Sequence, residues 1–120
     1  MTPFGERLRA LRAEKGITQR QFASAVGVSA GYLSALEHGH RGKPSWPLLQ
    51  RIVGELGVIW DEAEDLQRLA HLSDTRVVVD TTTASAAATL AANLLAERIA
   101  GLDEDSVSAL LALLTANSSD

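Results

Sequence analysis

Cysteine and long apolar runs are both missing from this chain. None of its 120 residues is cysteine, which excludes disulfide bonds and thiolate metal sites. Without a long apolar run we expect no contact with a membrane, and 46% hydrophobic residues in a chain of this length favour one compact soluble domain with an accessory segment. The N-terminus shows no charged region followed by an apolar signal segment, so we expect a cytoplasmic protein.

Catalytic and metal-binding signatures are also scarce. The chain has no phosphate-binding glycine loop and no His-Glu-x-x-His motif, and its glycines fall where helices are expected to end. His38 and His40 are close in sequence, but no cysteine or nearby carboxylate pair completes a metal site with them. We therefore expect no enzymatic activity, no cofactor and no bound metal.

The net charge of −4 conceals an uneven distribution along the chain. Eight basic and three acidic residues up to Arg51 give that part a net charge of +5, whereas three basic and twelve acidic residues from Ile52 onward give −9. A basic segment of this kind can bind nucleic acid even when the whole chain is acidic, because phosphate neutralisation supplies most non-specific affinity. Uneven solvated surface charge without a binding role is the alternative interpretation.

The basic part of the chain contains the signals of two short helices joined by a tight turn. Thr18 and Gln21 have the spacing of a capping box, which predicts a helix start. Gly27 stands where that helix must end with positive φ, and Ser29 is suited to cap the next helix. Two short helices in this order can place the second in the major groove of DNA.

Three more helices are predicted around this pair, so that five helices fill residues 3–72. Apolar residues recur at helical spacing in each of them, and Pro3 and Pro47 are suited to the opening turns of the first and fourth. The residues predicted to face inward are Phe4, Leu8 and Leu11 in the first helix, Leu48, Leu49, Ile52, Val53 and Leu56 in the fourth, and Trp60, Ala63, Leu66, Leu69 and Ala70 in the fifth.

A β-branched run over residues 76–83 predicts a single short strand. One strand cannot satisfy its own backbone groups, and no other segment resembles a partner. Pairing of Val77, Val78 and Val79 with the same residues of a second chain is therefore the expected arrangement. An extended linker is the alternative interpretation.

Two apolar helices are predicted to follow, from residue 84 to about 100 and from a cap at Asp103 to a frayed polar tail over residues 117–120. Two helices and a strand are too little for a separate core, so we interpret residues 73–120 as a dimerisation element. Folding back onto the N-terminal helices of a monomer is the alternative. The residues expected to hold the dimer are Val77, Val78, Val79, Leu90, Leu94, Leu95 and Ile99.

Residues 4 to about 61 resemble the Cro/repressor-type (XRE-type) helix-turn-helix family. The resemblance implies a mostly all-α fold, with a five-helix lambda-repressor-like DNA-binding domain over residues 1–72 followed by the short strand and two C-terminal helices. The motifs that carry it are Leu8-Arg-Ala-Leu-Arg12, Gly16-Ile-Thr-Gln19, Phe22-Ala23, Val26-Gly-Val-Ser29, Tyr32-Leu33, Leu36-Glu37, Gly39 and Leu56-Gly-Val58.

The resemblance also implies which residues contact DNA. Gln19 and Arg20 open the second helix, where relatives clamp a phosphate with the side chain and the helix N-terminus. Ala30 and Gly31 cannot make bidentate hydrogen bonds to purine edges, so Tyr32 is expected to be the main base reader or, alternatively, a phosphate contact. The expected DNA contacts are Gln19, Arg20, Ser29, Ala30, Gly31, Tyr32, Ser34, Ala35, His38, His40, Arg41 and Lys43.

Arg12 and Glu37 occupy positions that relatives place beside each other. The resemblance therefore implies a bidentate ion pair that joins the first and third helices and sets the angle of the reading helix. Unpaired, solvated charges are the alternative interpretation.

These features together predict a homodimeric, sequence-specific transcriptional regulator of double-stranded DNA, more specifically a repressor, associated with the nucleoid. A twofold axis requires an inverted-repeat operator with half-site centres roughly 34 Å apart. DNA shape, half-site spacing and the basic loop over residues 38–43 are expected to supply much of the discrimination, with Arg41 and Lys43 contacting phosphates. A DNA-binding antitoxin that holds a partner protein through residues 73–120 is the alternative, and ligand sensing or polymerase contact by that segment is a third reading.

Overall fold

The computed structural model describes residues 1–116. Over that range the chain is mostly helical, as predicted, with seven α-helices, one short 3-10 helix at Ile99–Gly101 and no strand. The predicted polar tail, residues 117–120, lies outside the described range. The α-helices are α1 (Pro3–Glu14), α2 (Gln19–Val26), α3 (Ala30–Glu37), α4 (Trp46–Leu56), α5 (Trp60–His71), α6 (Ala86–Arg98) and α7 (Glu104–Ala116).

The chain divides into two compact units, the first spanning Met1–Val77 and the second beginning at Val78. The first unit contains α1 to α5, and the second contains α6 and α7. None of the helices in residues 1–116 has the length and apolar character needed to cross a membrane.

The turn between α2 and α3 forms as the sequence predicts. Thr18 Oγ1 accepts from the Gln21 N–H at 3.1 Å, and Gln21 Oε1 accepts from the Thr18 N–H at 3.1 Å, so both halves of the capping box are present. Gly27 ends α2 with φ of 79°, a conformation that a Cβ atom disfavours. Ser29 Oγ then accepts from the Tyr32 N–H at 3.0 Å and starts α3.

The core of the first unit is built from the apolar faces of all five helices. One predicted core residue is wrong, because Trp60 is 82% exposed. It is the first residue of α5 and has φ of 54°, so its side chain leaves the face that the following helical residues share. The buried apolar residues are Phe4, Leu8, Leu11, Phe22, Ala23, Val26, Leu33, Leu36, Leu48, Leu49, Ile52, Leu56, Val58, Leu66 and Ala70.

The predicted strand over residues 76–83 is also wrong for the single chain. Val77, Val78 and Val79 are exposed by 72%, 93% and 60%, and residues 77–81 have no regular secondary structure. A β-branched run favours extended backbone, but a strand also needs a neighbour for its hydrogen bonds, and no described segment supplies one. The alternative interpretation of an extended linker describes what is observed.

Helices α6 and α7 begin at side-chain caps but contain no fully buried residue. Ser85 Oγ accepts from the Ala88 N–H at 3.1 Å, and Asp103 Oδ1 accepts from the Ser106 N–H at 2.7 Å. The Ser106 hydrogen bonds hold the pKa of Asp103 below its usual value. No residue of either helix is buried, and Leu111 and Leu114, predicted to face inward, are 59% and 61% exposed, because two helices provide no second layer to cover them.

Contacts distant in sequence close the first unit around the N-terminus of α1. Ser73, only 2% exposed, accepts from the Phe4 N–H at 3.0 Å and donates to the Leu69 carbonyl at 2.6 Å. Gly5 is buried where α1 meets the end of α3, and a Cβ atom there would lie 2.6 Å from the carbonyl oxygens of Leu36 and Glu37. The end of α5 thus holds the start of α1, and Gly5 permits α1 and α3 to touch.

Substitution of Gly5 by alanine should therefore destabilise the first unit. The obstructing atoms are backbone oxygens of α3 and cannot rotate away, so the helices must separate, at a cost of about 1–3 kcal/mol in the free energy of unfolding. Gly54→Ala is the matched control, since its Cβ atom would meet open space and alanine is favoured in helices by roughly 0.5–1 kcal/mol. Urea unfolding of both variants measures the difference. Equal effects would contradict the proposed close approach.

Candidate nucleic-acid interface

The first turn of α3 is open to solvent while the rest of the helix is anchored. Leu33 and Leu36 are fully buried, whereas Ser29, Ala30 and Gly31 are exposed. A Cβ atom on Gly31 would meet only the Ser29 hydroxyl, at 4.0 Å. The leading edge of α3 is therefore a smooth surface that another molecule can approach closely.

Further along α3, the predicted contacts are less accessible. Tyr32, Ser34 and Ala35 are half-buried, and Tyr32 packs against the apolar core. The guanidinium carbon of Arg41 lies 5.5 Å from the centre of the Tyr32 ring, a distance at which cation and ring attract each other. The ring thus supports Arg41 at the edge of the α3 surface.

A histidine pair continues this surface beyond the end of α3. His38 Nδ1 lies 2.8 Å from the Ser34 carbonyl oxygen, and because a carbonyl only accepts, Nδ1 carries the hydrogen and Nε2 is left unprotonated in the neutral ring. The ring of His40 stacks on that of His38 with centroids 6.5 Å apart. Among residues 1–116 no group of three or more histidine, aspartate and glutamate side chains is arranged to hold a metal ion.

Beneath the α3 surface, a buried carboxylate joins three helices. Glu37 is fully buried, and its Oε2 accepts from Arg12 Nε at 2.8 Å, while its Oε1 accepts from Arg12 Nη2 at 3.1 Å. Gln19 Nε2 donates to the same Oε1 at 3.1 Å. Arg12 also donates from Nη1 to the Ile17 carbonyl at 2.8 Å. The side chains of α1, α2 and α3 therefore converge on one fully paired ion pair.

This network fixes the orientation of Gln19 at the start of α2. One amide hydrogen of Gln19 is committed to Glu37, which leaves the second hydrogen of the same NH₂ group available. Arg20 follows at an exposed position in the same turn. Both residues lie at a helix N-terminus, where free N–H groups and the helix dipole favour an anion.

Three residues that support this surface were not identified from the sequence. Arg51 of α4 donates from Nε to the Val26 carbonyl at 2.9 Å and so satisfies a carbonyl at the C-terminus of α2. Nζ of Lys43, in the loop after α3, lies 3.1 Å from Oδ2 of Asp74. Asp74 directly follows the buried Ser73 in the chain. No local motif marks Arg51, Ser73 or Asp74, because each acts on a residue at least 25 positions away.

The turn between α2 and α3 contains the residue spacing of a catalytic motif. Gly27, Ser29 and Gly31 satisfy the Gly-x-Ser-x-Gly pattern, but a nucleophile elbow joins a strand to a helix. Here the segment joins two helices, and the Ser29 hydroxyl caps α3. The pattern is thus accounted for by helix capping.

The predicted dimerisation residues fall into three groups. Leu94 and Leu95 line a groove between α6 and α7 and are half-buried. Leu90 and Ile99 are 61% and 46% exposed. The three valines, Val77 to Val79, lie in the exposed connecting segment described above.

Comparisons with known proteins identify the first unit. Residues 3–66 match the family model of a helix-turn-helix domain. The HTH-type transcriptional repressor RghR of Bacillus subtilis (strain 168) is 39% identical over 61 residues, which are 51% of this chain and 45% of RghR. The uncharacterized HTH-type transcriptional regulator YazB of the same bacterium is 41% identical over 59 residues, 49% of this chain and 84% of YazB.

A solved structure gives a similar match. The clp gene regulator ClgR from C. glutamicum shares 39% sequence identity with a TM-score of 0.49, over 57% of this chain and 84% of that chain. The present chain spans less than half the length of RghR. Because the family model covers more than half of the chain, this protein belongs to the XRE-type helix-turn-helix family of DNA-binding transcriptional regulators.

Proposed function

We propose that this regulator binds an inverted-repeat operator as a homodimer, in a sequence-specific manner, and represses transcription. We also propose that it is a cytoplasmic protein associated with the nucleoid. The observation that carries the proposal is the exposed first turn of α3, held outward by the buried Arg12 and Glu37 pair. RghR is named as a repressor, and a repressor needs only to occupy a promoter.

The DNA contacts follow from the surface around α3. Gln19 and Arg20 bind a phosphate at the N-terminus of α2. Residues 29–35 enter the major groove, with Tyr32 as the main side chain near the bases. The loop over residues 38–43 follows the phosphate backbone with His38, His40, Arg41 and Lys43. Because Ala30 and Gly31 offer no hydrogen bonds to base edges, DNA shape contributes much of the specificity.

The homodimer rests on the second unit. The groove between α6 and α7 has a volume of about 640 Å³ and is lined by alanine and leucine apart from Arg98 and Ser106. No residue of α6 or α7 is buried within one chain, which is untenable for two apolar helices in water. A second copy of the same two helices supplies the missing layer and forms a four-helix arrangement.

The operator is the direct test of the proposed function. Two α3 helices related by a twofold axis require an inverted repeat with half-site centres roughly 34 Å apart. Mapping the genomic binding sites of the full chain should recover such a motif upstream of genes whose transcription rises when the regulator is deleted. Sites without symmetry would contradict the homodimer, and falling transcription on deletion would contradict repression.

Removal of the Glu37 carboxylate should destabilise the protein strongly. In Glu37→Ala the guanidinium of Arg12, whose side chain is only 15% exposed, loses its carboxylate, and breaking a buried pair from one side costs about 3–5 kcal/mol. Thermal or urea unfolding measures this loss. Since an unfolded variant cannot bind DNA, affinity is better tested in the double variant Arg12→Met with Glu37→Leu.

The double variant separates stability from positioning. Apolar replacement of both partners is expected to restore most of the unfolding free energy, but Gln19 then has no acceptor and α3 loses its directional tie to α1. We therefore expect near-normal stability with weakened operator binding. Operator affinity equal to that of the wild type would show that the pair serves stability alone.

A charge in the groove of the second unit should dissociate the homodimer. Leu94→Lys places a second cation four residues before Arg98, which already lines the groove, whereas Ala96→Lys changes an exposed residue of the same helix that does not line it. Two like charges in an apolar interface cost several kcal/mol. Sedimentation equilibrium should show a monomer for Leu94→Lys and a dimer for Ala96→Lys. A monomeric wild type that forms a stoichiometric complex with a neighbouring gene product would favour the antitoxin alternative.

A further inference from the structure

Lys43 is the only residue of the basic loop over residues 38–43 that forms an ion pair within the described chain. Its Nζ lies 3.1 Å from Asp74 Oδ2, and the two side chains are 46% and 50% exposed. Ion pairs at this exposure are weak, because water and salt screen them. The ammonium group of Lys43 is thus paired with the Asp74 carboxylate, which an anion that binds lysine more strongly can displace.

Asp74 lies between a buried residue and an exposed segment of the chain. The preceding residue, Ser73, is buried and hydrogen-bonded to both Phe4 and Leu69. Residues 75–80 are exposed and have no regular secondary structure. A Cβ atom on Gly42 would lie 3.7 Å from the Ser73 carbonyl oxygen, so the loop rests directly on this part of the chain. Thr75, on the other side of Asp74, also lies against the loop, because its backbone nitrogen and its hydroxyl oxygen would each be 3.9 Å from the same Cβ atom. The position of the Asp74 carboxylate is therefore set by its two neighbours in the chain.

We propose that Asp74 acts as an internal substitute for a DNA phosphate, which occupies Lys43 in the free protein and is displaced when the loop meets the phosphate backbone. This inference rests on the proposed phosphate contact of Lys43. DNA must then compete with Asp74 for the ammonium group, so the carboxylate lowers affinity for duplexes of any sequence. It leaves the base contacts of α3 unchanged and thereby raises the relative weight of sequence in binding.

The position of Asp74 also connects the loop to the exposed segment that follows it. A change that draws the backbone at residues 74–76 away from Gly42 separates the carboxylate from Lys43 and releases the cation. A change that holds the segment against the loop keeps the cation occupied. Asp74 is thus a positioning residue for Lys43, acting on DNA through that side chain.

The substitution Asp74→Asn tests this competition with the full-length chain and a labelled duplex of random sequence. Loss of the pair should tighten binding about two- to fivefold at low salt, as expected for an exposed ion pair. The gain should shrink as salt rises from roughly 50 to 200 mM, because screening weakens the competing pair. Fluorescence anisotropy titrations measure both effects. If Asp74→Asn left the affinity at low salt unchanged while Lys43→Gln weakened binding, the role of Asp74 would be overturned but the phosphate contact of Lys43 would stand.

Two further variants distinguish local competition from a general charge effect. Asp65→Asn removes the same charge from an exposed residue of α5 that forms no ion pair among residues 1–116, and it should change affinity much less than Asp74→Asn. The double variant Lys43→Gln with Asp74→Asn should bind like Lys43→Gln alone. A gain that persists without Lys43 would overturn the inference, and a Lys43→Gln variant that binds like the wild type would overturn the phosphate contact beneath it.

Discussion

A buried carboxylate connects the stability of this protein to its surface. Glu37 is fully buried at the end of α3 and accepts hydrogen bonds from Arg12 of α1 and Gln19 of α2. An ionised carboxylate in such a place is tolerated only when its lone pairs are satisfied, so the three helices must meet in one arrangement. This arrangement sets the direction of the exposed turn of α3. Glu37 Oε1 also orients the side chain of Gln19, because it accepts a hydrogen bond from Gln19 Nε2.

The two units differ in how much of their apolar surface is buried within one chain. The five helices of the first unit surround a core that includes Phe4, Phe22 and Ile52, each fully buried, and the unit is complete within one chain. Helices α6 and α7 are equally apolar but bury no residue. Apolar surface of that kind marks an interaction site in a protein, which is why the oligomeric state is proposed from the second unit and the DNA surface from the first.

The acidic character of the whole chain is compatible with DNA binding because the positive charge is concentrated in residues 1–51. Eight of the eleven basic residues lie before Ile52, and the structure gives several of them defined partners instead of leaving them free. Arg41 rests on the Tyr32 ring, and Arg51 closes the C-terminus of α2. Cations with fixed positions lose less conformational entropy on binding than mobile ones, so the contact of Arg41 with the Tyr32 ring favours the proposed phosphate contact of Arg41.

Local sequence alone determined the helices, the capping box at Thr18, the left-handed glycine at Gly27 and the cap at Asp103, since each of these interactions involves residues within a few positions of one another. Family resemblance added the pairing of Arg12 with Glu37. Two local signals gave wrong predictions. The valines after Arg76 form no strand in the single chain because no described segment pairs with them, and Trp60, the first residue of α5, does not share the buried face of that helix. Only the tertiary structure decided that Gly5 touches α3, that Ser73 holds the start of α1 and that Asp74 reaches Lys43. The crossing of helices brings those atoms together, and no periodicity along the chain encodes that crossing.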